Sequence, residues 1–203
     1  DDNSWEKIQG GPDWQEFFIK RSLKDYHIRT KIPGQFQGEN IAITITAIEN
    51  LQMNGIYITD ESIIDGFEKT IISGRMEIVG FEPLILLDGA HNIAGMISLK
   101  TTLEEDFVYE KLILIFGILK DKNIQTILDI ILPIVDTIVT TKSQSNRAFN
   151  PSTLKEMIGK KEVIVKDKIS DAIEHATKIA KKNDLICITG SLYTVGESRN
   201  YFT

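Results

Sequence analysis

Leu84-Ile-Leu-Leu-Asp-Gly-Ala-His-Asn92 is a short apolar run that stops on Asp, Gly, His and Asn. Helically spaced apolar residues follow from Ile93 to Leu103, and then a second apolar run, Lys111 to Phe116. Strand, helix and strand in that order predict a parallel pair joined by a crossover helix. The alternation continues outward on both sides. Strands are predicted at Met76 to Val79, Leu84 to Leu87, Lys111 to Phe116, Thr137 to Thr140, Val163 to Val165 and Leu185 to Thr189. Helices are predicted at Ile93 to Leu103, Ile124 to Leu132, Pro151 to Ile158 and Ile169 to Lys182, with a short one after Ser191. Ile169, Ile173, Ala176 and Ile179 recur at helical spacing, and Lys181-Lys182 would sit at the negative end of that helix dipole. The expected fold class is α/β, a Rossmann-like, mostly parallel sheet with flanking helices.

The first 73 residues show no such alternation. They hold an aromatic segment (Trp14, Phe17, Phe18), a possible strand from Tyr26 to Ile32, Pro33-Gly34, and two helical patterns. Asn40 is expected to cap the first helix, Ile41 to Met53, which stops at Asn54-Gly55; Thr59-Asp60-Glu61-Ser62 opens the second, Ile63 to Lys69. The apolar content is too small for a convincing separate domain, so residues 1–73 are expected to be the remnant of a neighbouring domain. The boundary falls near Ile72 to Gly74, and residues 74–203 form the second domain. The polar start at Asp1, without Met, fits a piece of a longer chain.

Composition excludes several classes. Of 203 residues, 42% are hydrophobic and 26% charged, enough for a packed core. A net charge of -6 argues against a nucleic-acid or anionic-membrane partner, which would need clustered Lys and Arg. The single cysteine, Cys187, cannot make an internal disulfide, and there is no run of about 18 apolar residues. A cytoplasmic protein is expected.

In an open α/β sheet the carboxyl ends of the strands form the ligand crevice, which puts Asp88, His91 and Asn92 where sites lie. Gly89 allows a tight turn, and the helix after Asn92 offers its N-terminal NH groups to an anion. Asp88 and Asn92 as plain helix caps would explain the same residues. In Ser73-Gly-Arg-Met-Glu77, the Arg75 guanidinium could clamp a phosphate or carboxylate, or simply pair with Glu77. Phe116-Gly-Ile-Leu-Lys-Asp-Lys122 and Thr189-Gly-Ser-Leu-Tyr193 also follow strands; Gly190 and Ser191 could receive a ligand carboxylate, with Ser191 equally a helix N-cap. No Gly-x-x-x-x-Gly-Lys-Ser/Thr loop and no Gly-x-Gly-x-x-Gly occurs, so this chain does not complete a nucleoside triphosphate site alone. His27, His91 and His175 lack metal-ligand spacing; His175 is expected on a solvated surface, and no metal site is expected. A hydrolase built from Ser191, His91 and Asp88 lacks the Gly-x-Ser-x-Gly elbow.

Taken together, Gly74-Arg-Met-Glu77, Leu87-Asp-Gly-Ala-His-Asn92, Phe116-Gly-Ile-Leu-Lys-Asp-Lys122 and Thr189-Gly-Ser-Leu-Tyr193 resemble, in order and spacing, the C-terminal domain of folylpolyglutamate and dihydrofolate synthases, which are Mur-ligase-like enzymes. Upstream, Gly34-Gln-Phe-Gln-Gly-Glu-Asn40 looks like the family's Gly-x-His-Gln-x-x-Asn segment, with Phe36 in place of the His and Asn40 retained. The resemblance implies that ATP phosphorylates a substrate carboxylate and the amine of glutamate attacks the acyl phosphate. It implies that Asn40, Arg75 and Asp88 contact ATP, with Arg75 stabilising the charge that shifts in phosphoryl transfer, and that His91 and Ser191 hold the incoming glutamate. Arg75, Asp88 and His91 are the implied catalytic residues. Residues 1–73 would be the end of the central ATPase domain, and 74–203 the glutamate ligase domain. The family's phosphate loop, Mg2+ ligands and modified lysine belong to the other half, so the chain is expected not to turn over alone. Glutamate and a folate or dihydropteroate are the implied substrates, and a monomer the implied state. A Mur-type amide ligase with another acyl substrate, and a non-catalytic small-anion module, remain rivals.

Overall fold

The computed structural model describes residues 4–22, 24–159 and 161–202. The chain divides into two compact units, one of the residues up to Ile72 together with Thr102–Phe107, the other of Ser73–Thr101 and the residues from Val108 onward.

In the second unit six strands lie in the order β4-β5-β9-β6-β7-β8. They are β4 (Glu77–Phe81), β5 (Leu84–Leu87), β6 (Leu112–Phe116), β7 (Thr137–Thr140), β8 (Val163–Val165) and β9 (Leu185–Thr189). All neighbours are parallel except β4, which runs antiparallel to β5. Helices α3 (Ile93–Glu105), α4 (Ile124–Ile131), α5 (Pro151–Ile158), α6 (Ile169–Ile179) and α7 (Leu192–Phe202) link the strands or follow the last. β6 and β9 are buried at every residue because a central parallel strand is covered on both faces, and this is why they read as unbroken apolar runs. Ile113, Ile115, Ile186 and Ile188 join Ile169, Ile173 and Ala176 of α6 in one buried cluster. Strand alternation sends Leu112, Leu114 and Phe116 to the opposite face, where they are also fully buried.

The first unit is an antiparallel sheet of β1 (Ser4–Gly10), β2 (Gln15–Lys20) and β3 (Tyr26–Thr30), with α1 (Gln37–Met53) and α2 (Asp60–Lys69). Phe17, Ile19, Tyr26, Ile28, Ile41, Ile45 and Ile63 form its buried cluster.

Several expectations need correction. Helix α1 begins at Gln37, so Asn40 lies inside it and does not cap it; its Nδ2 instead donates to Gln37 Oε1 at 3.1 Å. Helix α2 begins at Asp60 rather than Ile63, because Thr59 caps it, its Oγ1 accepting from Ser62 N, so that most of the expected opening segment is already helical. β4 begins at Glu77, because Met76 takes a left-handed φ of 48° that no strand residue adopts. Helix α6 ends at Ile179 since Ala180 is extended, which leaves Lys181-Lys182 beyond it. His175 is half-buried rather than solvated, and α7 is 11 residues long rather than short.

Candidate active site

The carboxyl ends of β5 and β9 build one corner. Asp88 follows β5 and is almost wholly buried. Its Oδ1 accepts from Ala90 N at 2.8 Å and its Oδ2 from Met76 N at 3.1 Å, so the carboxylate joins its own turn to the one that carries Arg75. A second link is the bond from Gly89 N to Gly74 O, 2.8 Å. Burial pushes the Asp88 carboxyl above its ordinary value, against the pull of the Ala90 and Met76 N–H bonds and then of the Arg75 and His91 charges. Asp88 therefore does not cap α3. Asn92 does: its Oδ1 accepts from Gly95 N at 2.8 Å, which occupies one of the N–H groups an anion would have used.

Arg75 is exposed between buried Gly74 and Met76. Its pairing with Glu77 does not occur. Glu77 instead accepts from Gly74 N at 2.7 Å and from Arg199 Nε at 2.9 Å. Among the described residues the Arg75 guanidinium has no hydrogen-bond or ion-pair partner, and it feels the Asp88 charge. A guanidinium held in water beside a backbone-anchored carboxylate suits a phosphate or carboxylate ligand.

His91 is half-buried with Nδ1 2.7 Å from Gly89 O. Only a protonated Nδ1 makes that bond, so Nε2 is the nitrogen left to a ligand. Ser191 is 2% exposed; its Oγ accepts from Thr194 N at 3.0 Å and lies 2.8 Å from Thr194 Oγ1, and so it caps α7. Gly190 N donates to Ala90 O, which ties the β9 loop to the β5 loop. Gly190 has φ 106°, and a Cβ there would lie 2.6 Å from Gly117 O, so the three loops meet through backbone. Thr194 completes the corner by donating from Oγ1 to Gly117 O at 2.9 Å. Neither Thr194 nor Arg199 was among the candidates, since nothing local in the sequence sets a threonine or arginine on a helix apart.

The structure thus brings Arg75, Asp88, His91 and Ser191 to one edge of the second unit. Asn40 lies in the first unit, where it lines a cavity of about 540 Å3 with Gln37, Ile41, Thr44, Ile63 and Phe67. Among the described residues no three His, Cys, Asp or Glu side chains gather to hold a metal ion. No described helix is long and apolar enough to cross a membrane.

Residues 74–192 match the family model described as Mur ligase, glutamate ligase domain. The chain belongs to the Mur ligase family. This Mur ligase chain is 32% identical over 193 residues to dihydrofolate synthase/folylpolyglutamate synthase of Bacillus subtilis, covering 93% of the chain and 44% of that protein. Among solved structures, Mycobacterium tuberculosis folylpolyglutamate synthase complexed with ADP superposes with a TM-score of 0.86 at 26% identity over 98% of this chain and 47% of that one. Folylpolyglutamate synthase of Thermotoga maritima gives 0.81 at 28% identity, covering 99% of this chain and 46% of that one. The chain spans less than half the length of each.

Proposed function

We propose that this chain is the C-terminal part of an ATP-dependent acid–amino-acid ligase that adds glutamate to the carboxylate of a folate or dihydropteroate. The observation that carries the reading is the Asp88 carboxylate joined to both Ala90 N and Met76 N, which sets an unpaired Arg75 guanidinium at the edge of the sheet. Its identity to the Bacillus subtilis synthase and the ADP held by the Mycobacterium tuberculosis neighbour support the same reaction. Residues 1–73 are the end of the central ATPase domain, and 74–203 the glutamate ligase domain, in a cytoplasmic monomer.

ATP, when bound, supplies the phosphoryl group that activates the acyl carboxylate. Asn40, Arg75 and Asp88 hold the nucleotide. Arg75 donates to phosphate oxygens as negative charge shifts along them, and because the turn is already fixed, little reorganisation accompanies that step. His91, through Nε2, and Ser191 hold the incoming glutamate beside it. Mg2+ accompanies the nucleotide, and its ligands belong to the half of the ligase that precedes these residues. The 203-residue chain alone is therefore expected to show no ligation.

The test is incorporation of labelled glutamate into dihydropteroate or folate by the protein from the whole reading frame, with and without ATP. Arg75→Ala should lower kcat by about 100-fold or more. Ligation independent of ATP, or an unaltered R75A variant, would sink the reading.

A further inference from the structure

We infer that Glu77 is a positioning residue of this ligase, acting with Arg199 on the turn that presents Arg75; the inference rests on the function proposed above. The turn Gly74–Met76 has two left-handed residues, Gly74 at φ 70° and Met76 at φ 48°, and a non-glycine residue stays in that region only when its surroundings hold it there. On one side it is held by Asp88 Oδ2 and Gly89 N. On the other side a single carboxylate does the holding. Glu77 Oε2 accepts from Gly74 N at 2.7 Å, and Oε1 accepts from Arg199 Nε at 2.9 Å.

Arg199 belongs to α7, and α7 meets this corner along one face. A Cβ on Gly89 would lie 2.4 Å from Leu192 Cδ2, and one on Gly74 would lie 2.7 Å from Val195 Cγ1. Leu192, Val195 and Arg199 are spaced three and four residues apart, which puts them in one row on the helix. The row thus backs the Asp88 turn, then the Arg75 turn, then Glu77. Ser191 caps the same helix at its N-terminus. One helix therefore supports both the residue proposed to meet phosphate and the residue proposed to meet glutamate, and the Glu77–Arg199 pair is its far anchor. The glycines at 74 and 89 follow from the same packing, since any side chain there would push α7 away.

The Glu77 side chain is mostly buried at 12% exposed, whereas that of Arg199 is 40% exposed, so the buried carboxylate and its bond to Gly74 N hold the turn more than the solvent-screened ion pair does. Loss of Glu77 frees the Gly74 amide, and loss of Arg199 releases one oxygen of the carboxylate that holds that amide; either lets the turn relax at its two left-handed residues, Gly74 and Met76, which flank Arg75. The guanidinium then spends less time where phosphate charge develops.

The experiment uses the whole ligase and a double-mutant cycle of Glu77→Ala with Arg75→Ala. E77A alone is expected to lower kcat at least tenfold while KM for glutamate stays within twofold. Added to R75A, it is expected to cost less than a further twofold, because Glu77 has nothing left to position. A full tenfold cost in both backgrounds would mean a general structural role and would overturn the inference. So would an E77A enzyme of normal kcat beside a crippled R75A. If R75A itself is unimpaired, the proposed function fails first and is seen to fail separately. Should E77A not fold, Arg199→Lys keeps the charge but loses the Nε donor; a loss of threefold or more in kcat, absent in the R75A background and with an unchanged Tm, is expected, and a normal kcat would overturn the inference.

Discussion

The two units solve the same packing problem in different ways. The six-stranded sheet is covered on both faces, so its central strands are buried at every residue and its polar groups gather in loops beyond their carboxyl ends. The three-stranded sheet alternates. β2 buries Gln15, Phe17 and Ile19, β3 buries Tyr26, Ile28 and Thr30, and β1 buries none of its residues fully. Separation of core from edge is what lets the parallel sheet carry unpaired or strained groups such as Arg75 and Met76 without loss of packing. The antiparallel unit has seven buried residues in its cluster and leaves Ile43, Met53 and Tyr57 largely exposed.

Matched core truncations test that contrast most strongly. Leu114 and Ile45 are both fully buried, one between the layers of the parallel sheet and one in the smaller cluster. Leu114→Ala should cost about 2–5 kcal/mol, near the upper end because strands lie on both sides and the cavity cannot collapse. Ile45→Ala should fall at the lower end of that range, since helix α1 can shift on its sheet. Urea unfolding measures both. Equal costs would show that the small cluster is packed as rigidly as the large one.

A smaller effect compares two glycines with left-handed φ. Gly190 sits at 106° with Gly117 O in the way of any Cβ, whereas Gly55 sits at 87° after α1 with nothing within 4 Å. Gly55→Ala should cost about 1–2 kcal/mol from backbone strain alone. Gly190→Ala carries the same strain and also forces two backbones apart, so it should cost more and should lower any activity that depends on Ser191. The comparison breaks if the two variants unfold at the same urea concentration.

The same division explains what could be read from the sequence. Strands buried on both faces appear as apolar runs, so five of the six strands of the large sheet were legible within a residue, and Thr59-Asp60-Glu61-Ser62 as a helix opening and Asn54-Gly55 as a stop were legible too. β1, Ser-Trp-Glu-Lys-Ile-Gln-Gly, has two apolar side chains, Trp5 and Ile8, at the odd spacing of three, with a register shift between Lys7 and Gln9, too little period-two pattern to announce a strand. Helix α1 starts three residues before Asn40 because Gln37, Gly38 and Glu39 carry no apolar periodicity, and the turn from Gly34 O to Gln37 N winds them in. At the site, Arg75, Asp88, His91 and Ser191 were legible as residues at strand ends. What they bond to was not. Glu77 is 122 positions from Arg199, and Asp88 is 12 from Met76, and no local pattern encodes either pair.

The smallest effect concerns Asp88 itself, the one site carboxylate whose titration the fold moves upward. In the unfolded chain it should titrate near about 3.9. In the native protein burial raises it, so between those two values the folded state holds a proton that the unfolded state has already released. Stability tied to this group is then fully present below the unfolded value and is lost as pH rises through the native one. Asp88→Asn removes the titration, and so the stability of the native protein minus that of D88N should fall as pH climbs from about 4 and level off above the native value. Urea unfolding of both proteins over a pH series reads the difference directly. If it rises with pH instead, the Met76 and Ala90 amides stabilise the charge by more than burial costs it, and the turn that carries Arg75 is held more tightly than the buried carboxyl implies.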